Sequence, residues 1–236
     1  MRVAAIIPAA GSGTRLQSVL DRPKQFTRVA GKPLLAHTLL AFQACPLVDL
    51  VVIPTREDAI ETVWEEIIEP YGITVVQEVI TGGATRQESV WRGLQVLEEA
   101  DVDIVAVHDA ARIFVTPDII TRSVRAAERY GGCVVGLPAV DTIKMSHETW
   151  IEATIDRSVL WYAQTPQTFR YPLLRRAFRH AADIGFTGTD EAMLVETLGE
   201  RVALVRGSKY NLKITDPEDL ELARALLAYP HREESQ

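Results

Sequence analysis

The fold is decided near the start of the chain, by the stretch Val3-Ala4-Ala5-Ile6-Ile7-Pro8-Ala9-Ala10-Gly11-Ser12-Gly13-Thr14-Arg15. Its apolar first half predicts a buried β-strand. Its second half consists mainly of small residues, which let the backbone approach a ligand closely and present N–H groups to phosphate. The stretch therefore predicts a strand that runs directly into a phosphate-binding loop.

Short apolar runs alternate with longer amphipathic runs along the rest of the chain. Further strands are predicted at residues 50–53, 74–76, 104–107, 133–137 and 202–205. Helices are predicted at residues 34–42, 57–68, 87–97, 117–129, 172–182 and 190–198, and after Asp216-Pro217. Continuous apolar strands between helices indicate an α/β fold with a mostly parallel central sheet. A chain of 236 residues can form this as a single domain, spanning residues 1–236.

The alternation stops between residues 138 and 169. Thr, Ile, Trp and Tyr occur there at strand-like spacing, with no clear helix to cross back over the sheet. We interpret the segment as a protruding β-rich arm. Its apolar residues would face water in an isolated chain, which favours an arm that packs against a second subunit.

Charge and composition exclude several classes of protein. The net charge of -7 argues against a broad basic face for nucleic acid. Cys45 and Cys133 have no CxxC spacing and no histidine cluster, so we expect two buried, reduced thiols. No apolar run is long enough for a signal sequence or a membrane span, which predicts a soluble, cytoplasmic protein that binds no membrane.

The glycine loop has two other interpretations. A dinucleotide-binding turn would require glycine at Leu16 and an acidic residue after a second strand, and the chain has neither at the expected place. A plain strand-to-helix connection would need no cations. Arg15 closes the loop and Lys24 follows it closely, so the sequence favours a phosphate site.

A second candidate site follows the strand at 104–107. His108 and Asp109 lie at the carboxyl end of that strand, where open α/β sheets bind ligands. Because a carboxylate among phosphate oxygens needs a cation between them, Asp109 is the candidate contact for Mg²⁺ or for ribose. Alternatively Asp109 caps the following turn. His108 is interpreted as structural.

A series of ordered motifs extends the pattern over nearly the whole chain. After the loop at 8–15 they are Pro23-Lys24-Gln25, Gly82-Gly83-Ala84-Thr85-Arg86-Gln87-Glu88-Ser89-Val90, His108-Asp109-Ala110-Ala111-Arg112, Asp141-Thr142-Ile143-Lys144, Asp156-Arg157-Ser158-Val159-Leu160-Trp161, Ala163-Gln164-Thr165-Pro166-Gln167, Thr189-Asp190-Glu191-Ala192 and Asn211-Leu212-Lys213-Ile214-Thr215. In these motifs the chain resembles the 2-C-methyl-D-erythritol 4-phosphate cytidylyltransferases of the non-mevalonate isoprenoid pathway. One departure is Ile113, where the family usually has proline, and this predicts a less rigid loop after Arg112.

The resemblance implies a Rossmann-like nucleotidyltransferase domain that couples CTP to methylerythritol phosphate and releases pyrophosphate. By this resemblance, Arg15 and Lys24 would bind the triphosphate and stabilise the transition state. Arg157 and Lys213 would position the incoming phosphate. Arg112, Thr142, Thr165 and Thr189 would contact the polyol phosphate. The loop residues Ala9, Ala10, Gly11, Ser12 and Gly13, with Gly83 and Ser89, would surround the nucleotide. Arg86 would hold the Gly82-Gly83 loop.

Three further implications concern partners and metal. Mg²⁺ would assist, the arm would form a homodimer, and its Arg157 and Thr142 would reach the neighbour's active site. Two other functions stay open at this point. A ribitol-5-phosphate or other sugar nucleotidyltransferase would share the loop, the cations and the metal. A catalytically silent nucleotide-binding domain would keep the loop but has no need of Arg15, Lys24, Arg157 and Lys213 together.

Overall fold

The computed structural model describes residues 1–11 and 22–228 of the chain. In chain order the elements are β1 (Val3–Ile6), β2 (Arg28–Val29), β3 (Lys32–Pro33), α1 (Leu34–Gln43), β4 (Leu50–Thr55), α2 (Ile60–Val63), β5 (Val76–Thr81), α3 (Arg86–Val96), β6 (Ile104–Val107), α4 (Pro117–Tyr130), β7 (Gly132–Pro138), β8 (Ile143–His147), β9 (Trp150–Ile155), β10 (Trp161–Arg170), α5 (Tyr171–Asp183), α6 (Glu191–Glu196), β11 (Ala203–Arg206) and α7 (Pro217–Ala228). A π-helical turn, Trp64–Ile68, continues α2.

The central sheet is mixed but mostly parallel, as predicted. Within the described residues it has seven strands in the order β11-β7-β10-β6-β1-β4-β5. β1 lies between β6 and β4 and is parallel to both. β10 is the exception, since it runs antiparallel to β6 and to β7. Because β1 and β6 are adjacent and parallel, the loops that follow them emerge together at one edge of the sheet.

Apolar side chains cover both faces of this sheet. Ala5 and Ile7 face one layer, in which Phe42 of α1 is fully buried. Ala4 and Ile6 face the other layer, together with buried residues of α3, α5 and α6. A strand that is buried on both faces needs apolar residues at consecutive positions, which explains the uninterrupted run at the start of the chain.

A third, smaller apolar cluster lies beside the site end of the sheet. Its buried members are Val29, Leu34, Ile113, Ile214, Leu220 and Ala223. Ile113 replaces the proline that is usual in the family and is buried in this cluster. The loop after Arg112 is therefore anchored by side-chain packing, where proline would have restricted φ.

The strand predicted at residues 74–76 begins later, because β5 spans Val76–Thr81. β5 is the last strand at its end of the sheet, and the side chains of Gln77 and Glu78 are exposed. An edge strand of this kind does not require a continuous apolar run. The sequence pattern therefore marked only its first buried position.

The segment predicted as an arm, residues 138–169, divides into two structurally different parts. β8 and β9 form a separate antiparallel hairpin, on which Trp150 is 78% exposed and Ile151 is 64% exposed. β10 belongs to the central sheet, and residues 164–169 of it are buried. The part that stands apart from the sheet is therefore shorter than the sequence predicted.

Two expectations from composition can be compared with the structure. Cys45 and Cys133 are both free and buried, as predicted, and burial raises the pKa of the Cys133 thiol to about 12. Among the helices of residues 1–11 and 22–228, none combines the length and the apolar character that crossing a bilayer requires.

Candidate active site

A cavity of about 230 Å³ opens where the loops after β1, β5 and β6 meet. The loop after β1 contributes residues 8–11, and the loop after β6 contributes residues 109–111. Lys24 and Lys213 also line the cavity, although they lie near opposite ends of the sequence. Among the described residues, the cavity thus combines a small-residue loop with Lys24, Lys213, Arg86 and one carboxylate, Asp109.

Nine of the predicted site residues line this cavity, namely Ala9, Ala10, Gly11, Lys24, Gly83, Arg86, Ser89, Asp109 and Lys213. Five predicted residues of the described ranges lie outside its lining, namely Arg112, Thr142, Arg157, Thr165 and Thr189. Ser12, Gly13 and Arg15 fall outside the described residues. The roles assigned to all of these residues stay predictions.

Asp109 is the centre of a cationic cluster. Its Oδ2 accepts a charged contact from Lys213 Nζ at 2.9 Å, and its Oδ1 accepts a hydrogen bond from Arg86 Nε at 3.1 Å. Arg112 Nε lies 3.7 Å from Oδ2. Burial alone would raise the pKa of Asp109, but the three cations outweigh it and hold that pKa well below its usual range. The carboxylate is therefore ionised at neutral pH.

Arg86 connects Asp109 to a second, fully buried carboxylate. Arg86 is the first residue of α3, and its Nη1 and Nη2 donate to the two carboxylate oxygens of Glu191 at 2.6 and 3.0 Å. That Arg86 also holds the Gly82-Gly83 loop stays a prediction. Among the described residues its guanidinium bonds go to Asp109 and Glu191, because these carboxylates offer it charged partners on both edges.

The Gly82-Gly83 loop is held by other groups of α3. The Gly83 N–H donates to Ser89 Oγ at 3.0 Å, and the Ala84 N–H donates to a Glu88 carboxylate oxygen at 2.7 Å. A Cβ on Gly83 would lie 2.2 Å from the Cβ of Glu88, so no other residue fits. The loop can pack this closely on α3 only because residue 83 has no side chain.

His108 and Thr165 form a buried pair behind Asp109. His108 Nε2 lies 3.2 Å from the Arg112 carbonyl oxygen, so it must be the protonated nitrogen. Nδ1 therefore accepts from the Thr165 hydroxyl at 3.0 Å, and that hydroxyl oxygen accepts from the Asp109 N–H at 3.1 Å. The predicted structural role of His108 agrees with this geometry. The Thr165 hydroxyl donates its proton inside the protein and fixes the backbone of Asp109.

The burial of His108 makes the stability of the protein depend on pH. Burial lowers the pKa of His108 from 6.5 to about 4. The unfolded chain therefore takes up this proton at a higher pH than the folded chain, so the stability is present above pH 6.5 and is lost as pH falls toward 4. We expect His108 to reduce the free energy of unfolding by about 2 kcal/mol between pH 7 and pH 5, measured by urea denaturation without metal.

The control for this prediction is a second histidine. The His108→Gln variant keeps a donor for the Arg112 carbonyl and has no imidazole to titrate, so its stability should change less between pH 7 and pH 5. The variant His147→Gln removes an exposed imidazole and should keep the parental pH dependence. Equal pH dependence in both variants would show that His108 is not the responsible group.

The loop that carries Lys213 is fastened to β10 by the fully buried Asn211. Its side-chain amide donates to the Thr165 carbonyl oxygen at 2.8 Å and to Gln164 Oε1 at 3.2 Å. The backbone carbonyl oxygen of Asn211 accepts a hydrogen bond from Arg112 Nη1 at 2.8 Å. Arg112 therefore acts here as a structural tie between the two loops that carry Asp109 and Lys213.

The other predicted contacts lie away from the cavity of the same chain. Arg157 and Thr142 are exposed beside the β8–β9 hairpin, and Arg157 Nη1 donates to the Val140 carbonyl oxygen at 2.5 Å. Thr189 is exposed just before α6. Their roles as ligand contacts stay predictions.

Sequence reasoning missed two buried residues of the site. Glu191 belongs to the motif Thr189-Asp190-Glu191-Ala192, but the sequence alone assigns no role to it. Gln25 lines the cavity and is 5% exposed, and its Nε2 has no hydrogen-bond partner among residues 1–11 and 22–228. The position of Gln25 next to Lys24 was the available signal for it, whereas nothing local indicated that Glu191 pairs with Arg86.

Comparison with known proteins identifies the family. The profile of the 2-C-methyl-D-erythritol 4-phosphate cytidylyltransferase family matches residues 3–229. The chain belongs to this family. A cytidylyltransferase of this name from Acidobacterium capsulatum is 49% identical over 230 residues, which cover 94% of this chain and 96% of the relative. One from Geotalea uraniireducens is 45% identical over 228 residues, with 96% and 97% covered.

Solved structures agree with this assignment. The 2-C-methyl-D-erythritol 4-phosphate cytidylyltransferase of Thermus thermophilus is 36% identical and superposes with a TM-score of 0.79 over 97% of this chain and 100% of its own. The 4-diphosphocytidyl-2C-methyl-D-erythritol synthase of Anaerococcus prevotii is 27% identical, with a TM-score of 0.84 and 97% and 96% of the chains covered. The fold class predicted from the sequence is therefore confirmed.

Proposed function

We propose that the cavity beside the glycine loop is where this cytidylyltransferase transfers the cytidylyl group of CTP to 2-C-methyl-D-erythritol 4-phosphate. The observation that carries the proposal is the convergence of Lys24 and Lys213 on one cavity with the small-residue loop. Two lysines from distant parts of the chain, on a protein of net charge -7, concentrate positive charge at one place. Such a site suits a reaction between two phosphate anions.

The reaction needs little proton transfer. The second pKa of a phosphate monoester is about 6, so the attacking oxygen of methylerythritol phosphate is already ionised at neutral pH. It attacks the α-phosphorus of CTP, and pyrophosphate leaves. The obstacle is electrostatic, because two polyanions must approach and the transition state spreads negative charge over its equatorial oxygens. Fixed positive side chains remove that obstacle.

The residues divide this task between the two substrates. Lys24, together with Arg15, which lies outside the described residues, contacts the triphosphate of CTP and stabilises the transition state. Lys213 receives the incoming phosphate. Asp109 Oδ2 lies 2.9 Å from Lys213 Nζ, and this contact restrains the ammonium group beside the cavity. This reduces the conformational freedom that Lys213 loses when the phosphate binds.

The residues present also fit a Mg²⁺ ion that takes most of its ligands from substrate. In the described part of the chain, no group of three or more His, Cys, Asp or Glu side chains could hold a metal alone. Asp109 is the one carboxylate among the described cavity-lining residues, and Mg²⁺ commonly takes one or two carboxylates together with phosphate oxygens. When bound there, Mg²⁺ would supply additional positive charge beside the phosphates.

The base of CTP is accommodated by backbone and small residues. Ala9, Ala10, Gly83 and Ser89 surround the part of the cavity next to the loops after β1 and β5. The Ser89 hydroxyl already binds the Gly83 N–H and the Thr85 carbonyl oxygen, so it maintains the shape of the wall. Base selection by backbone groups leaves little signal in the sequence.

The single domain of residues 1–236 acts as a homodimer in this proposal. The β8–β9 hairpin carries the exposed Trp150, Ile151 and Met145, and large apolar side chains exposed on a hairpin favour a protein contact. Arg157 and Thr142 lie beside the hairpin and outside the cavity lining of their own chain. We place them in the active site of the partner subunit, where Arg157 positions the incoming phosphate.

A substrate panel with constant CTP and Mg²⁺ tests the proposed function. Pyrophosphate release is expected with methylerythritol phosphate. Turnover of ribitol 5-phosphate but not of methylerythritol phosphate would assign the chain to the other sugar nucleotidyltransferases. CTP binding without pyrophosphate release, for every polyol phosphate tried, would make it a silent nucleotide-binding domain.

The Lys213→Ala variant tests the assignment of the incoming phosphate. We expect kcat/KM for methylerythritol phosphate to fall about 100-fold, because one fixed charge in contact with the reacting phosphate is lost. The KM for CTP should change much less. Lys209→Ala is the matched control, since Lys209 is an exposed lysine of the same loop outside the cavity lining. A loss confined to CTP would contradict the assignment.

A further inference from the structure

We propose that Glu191 is a positioning residue of this active site, which acts through Arg86 to fix the orientation of the Asp109 carboxylate. The inference rests on the proposed contact between Asp109 and the substrates or their metal. Glu191 does not line the cavity, and it is 1% exposed. Its effect on catalysis must therefore be transmitted by the residue that it binds.

The geometry of Arg86 makes this transmission rigid. A guanidinium is planar, and its donors point in fixed directions from two edges. Glu191 occupies the Nη1 and Nη2 edge with bonds of 2.6 and 3.0 Å, and Asp109 Oδ1 receives the Nε–H at 3.1 Å. With the plane of the guanidinium fixed at one edge, the position of Oδ1 is determined at the other.

The backbone of Glu191 is itself fixed to the central sheet. Gln167 of β10 accepts a hydrogen bond from the Ala192 N–H at 2.9 Å and donates to the Asp190 carboxylate at 2.8 Å. The Asp190 carboxylate in turn caps α6 by accepting from the Met193 N–H at 3.0 Å. The start of α6 therefore provides a stationary base for the ion pair.

Glu191 also determines how the charges around Asp109 are shared. Arg86, Arg112 and Lys213 all approach Asp109, and Glu191 is the carboxylate that engages one of these cations elsewhere. Without Glu191, the Arg86 guanidinium could turn and bind both oxygens of Asp109. It would then displace Lys213 from Oδ2 and compete with any ligand of that carboxylate.

A purely stabilising role does not account for this arrangement. Removing two charges from water carries a large desolvation cost, and a buried ion pair is often no more stabilising than a well-packed apolar pair. Burial raises the pKa of the Glu191 carboxyl, and the Arg86 guanidinium opposes that rise. Stability therefore does not explain why the chain has the Arg86–Glu191 ion pair. The orientation that the pair gives to Asp109 does explain it.

The experiment compares four variants of the full chain, Glu191→Gln, Asp109→Asn, the combination of both, and Glu196→Gln. Glu196 is an exposed glutamate of the same helix and serves as the matched control. For each variant we would measure the unfolding temperature and, for both substrates with Mg²⁺, kcat and KM. Glu191→Gln is expected to lower kcat/KM about 10- to 100-fold, the range for residues that orient a ligand of a site.

The decisive result is the combination of the two substitutions. If Glu191 acts through Arg86 on Asp109, adding Glu191→Gln to Asp109→Asn should lower kcat/KM by less than about threefold more. The two single variants should also divide their losses between kcat and KM in the same way. Losses that multiply, or a Glu191→Gln enzyme with parental kinetics, would overturn the proposal. An Asp109→Asn enzyme with parental kinetics would instead refute the proposed contact of Asp109.

A second variant covers the case in which Glu191→Gln does not fold. Replacing both partners, as Arg86→Met with Glu191→Met, removes the pair and leaves Asp109 with Lys213 and Arg112 as its cations, so it should give a folded protein. We expect this protein to lose activity at least as much as Asp109→Asn does. A folded double variant with parental turnover would show that the ion pair is dispensable for Asp109.

Discussion

Replacing Lys24 by alanine is expected to lower kcat about 1,000-fold while the protein stays folded. Lys24 lines the cavity next to the glycine loop, where it would stabilise charge that develops on the α-phosphate. Fixed donors aimed at such charge typically contribute factors of about 100 to 1,000. The effect on stability should be below about 1 kcal/mol, because partly exposed ion pairs contribute little.

The measurement is single-turnover kinetics with saturating CTP, combined with thermal unfolding. Lys32→Ala is the matched control, because Lys32 is an exposed lysine of the neighbouring β3 and lies outside the cavity lining. A Lys24→Ala enzyme that reacts at the parental rate would remove Lys24 from the catalytic residues. A large fall in the unfolding temperature together with the fall in rate would indicate that Lys24 has a structural role.

Mixing two inactive variants is expected to restore activity. Arg157→Ala removes the arm contribution and Lys24→Ala removes the cavity contribution, so each homodimer should be nearly inactive. A hybrid dimer contains one site in which both residues are intact. Random exchange of subunits makes about half of the dimers hybrid, each with one working site of two, so about a quarter of the parental activity should return.

The control mixture combines Lys24→Ala with Lys213→Ala. Both lysines line the cavity of one chain, so each site of every hybrid dimer lacks one of them and no activity should return. Exchange would be driven by dilution and reconcentration, and sedimentation would show that the dimers dissociate on dilution. A monomeric protein, or an Arg157→Ala mixture that stays inactive after exchange, would contradict the proposed placement of Arg157 in the partner's site.

Local patterns were sufficient to predict most of the fold. The uninterrupted apolar runs of β1, β4 and β6 follow from burial on both faces of the sheet, and Pro117 begins α4 where the sequence predicted a helix. β10 was the main exception. Its buried half includes Gln164, Thr165, Gln167 and Thr168, and these are satisfied by partners that are distant in sequence. A polar strand of this kind does not have the pattern of a buried one.

The sequence predicted which kinds of residue form the candidate site, but not which of them bind one another. Lys24, Asp109 and Lys213 line one cavity at the edge of the sheet where open α/β folds bind ligands, which is the edge that the sequence predicted for Asp109. The partner of Arg86 could not be predicted, because Glu191 is 105 residues away and each arginine had several carboxylates available. Such choices depend on which helices pack side by side, which the local sequence does not encode.

The third apolar cluster has a consequence for the chemistry above it. Ile113 directly follows Arg112, Ile214 directly follows Lys213, and Val29 lies five positions beyond Lys24, and all three apolar side chains pack in that one cluster. Asp109 attracts Lys213 and Arg112, and these cations also repel one another, so their charges alone do not set the positions of the backbone that carries them. The packing of the third apolar cluster fixes the positions of these backbone segments instead. The affinity for an anion therefore depends on Val29, Ile113 and Ile214, three apolar side chains outside the cavity lining.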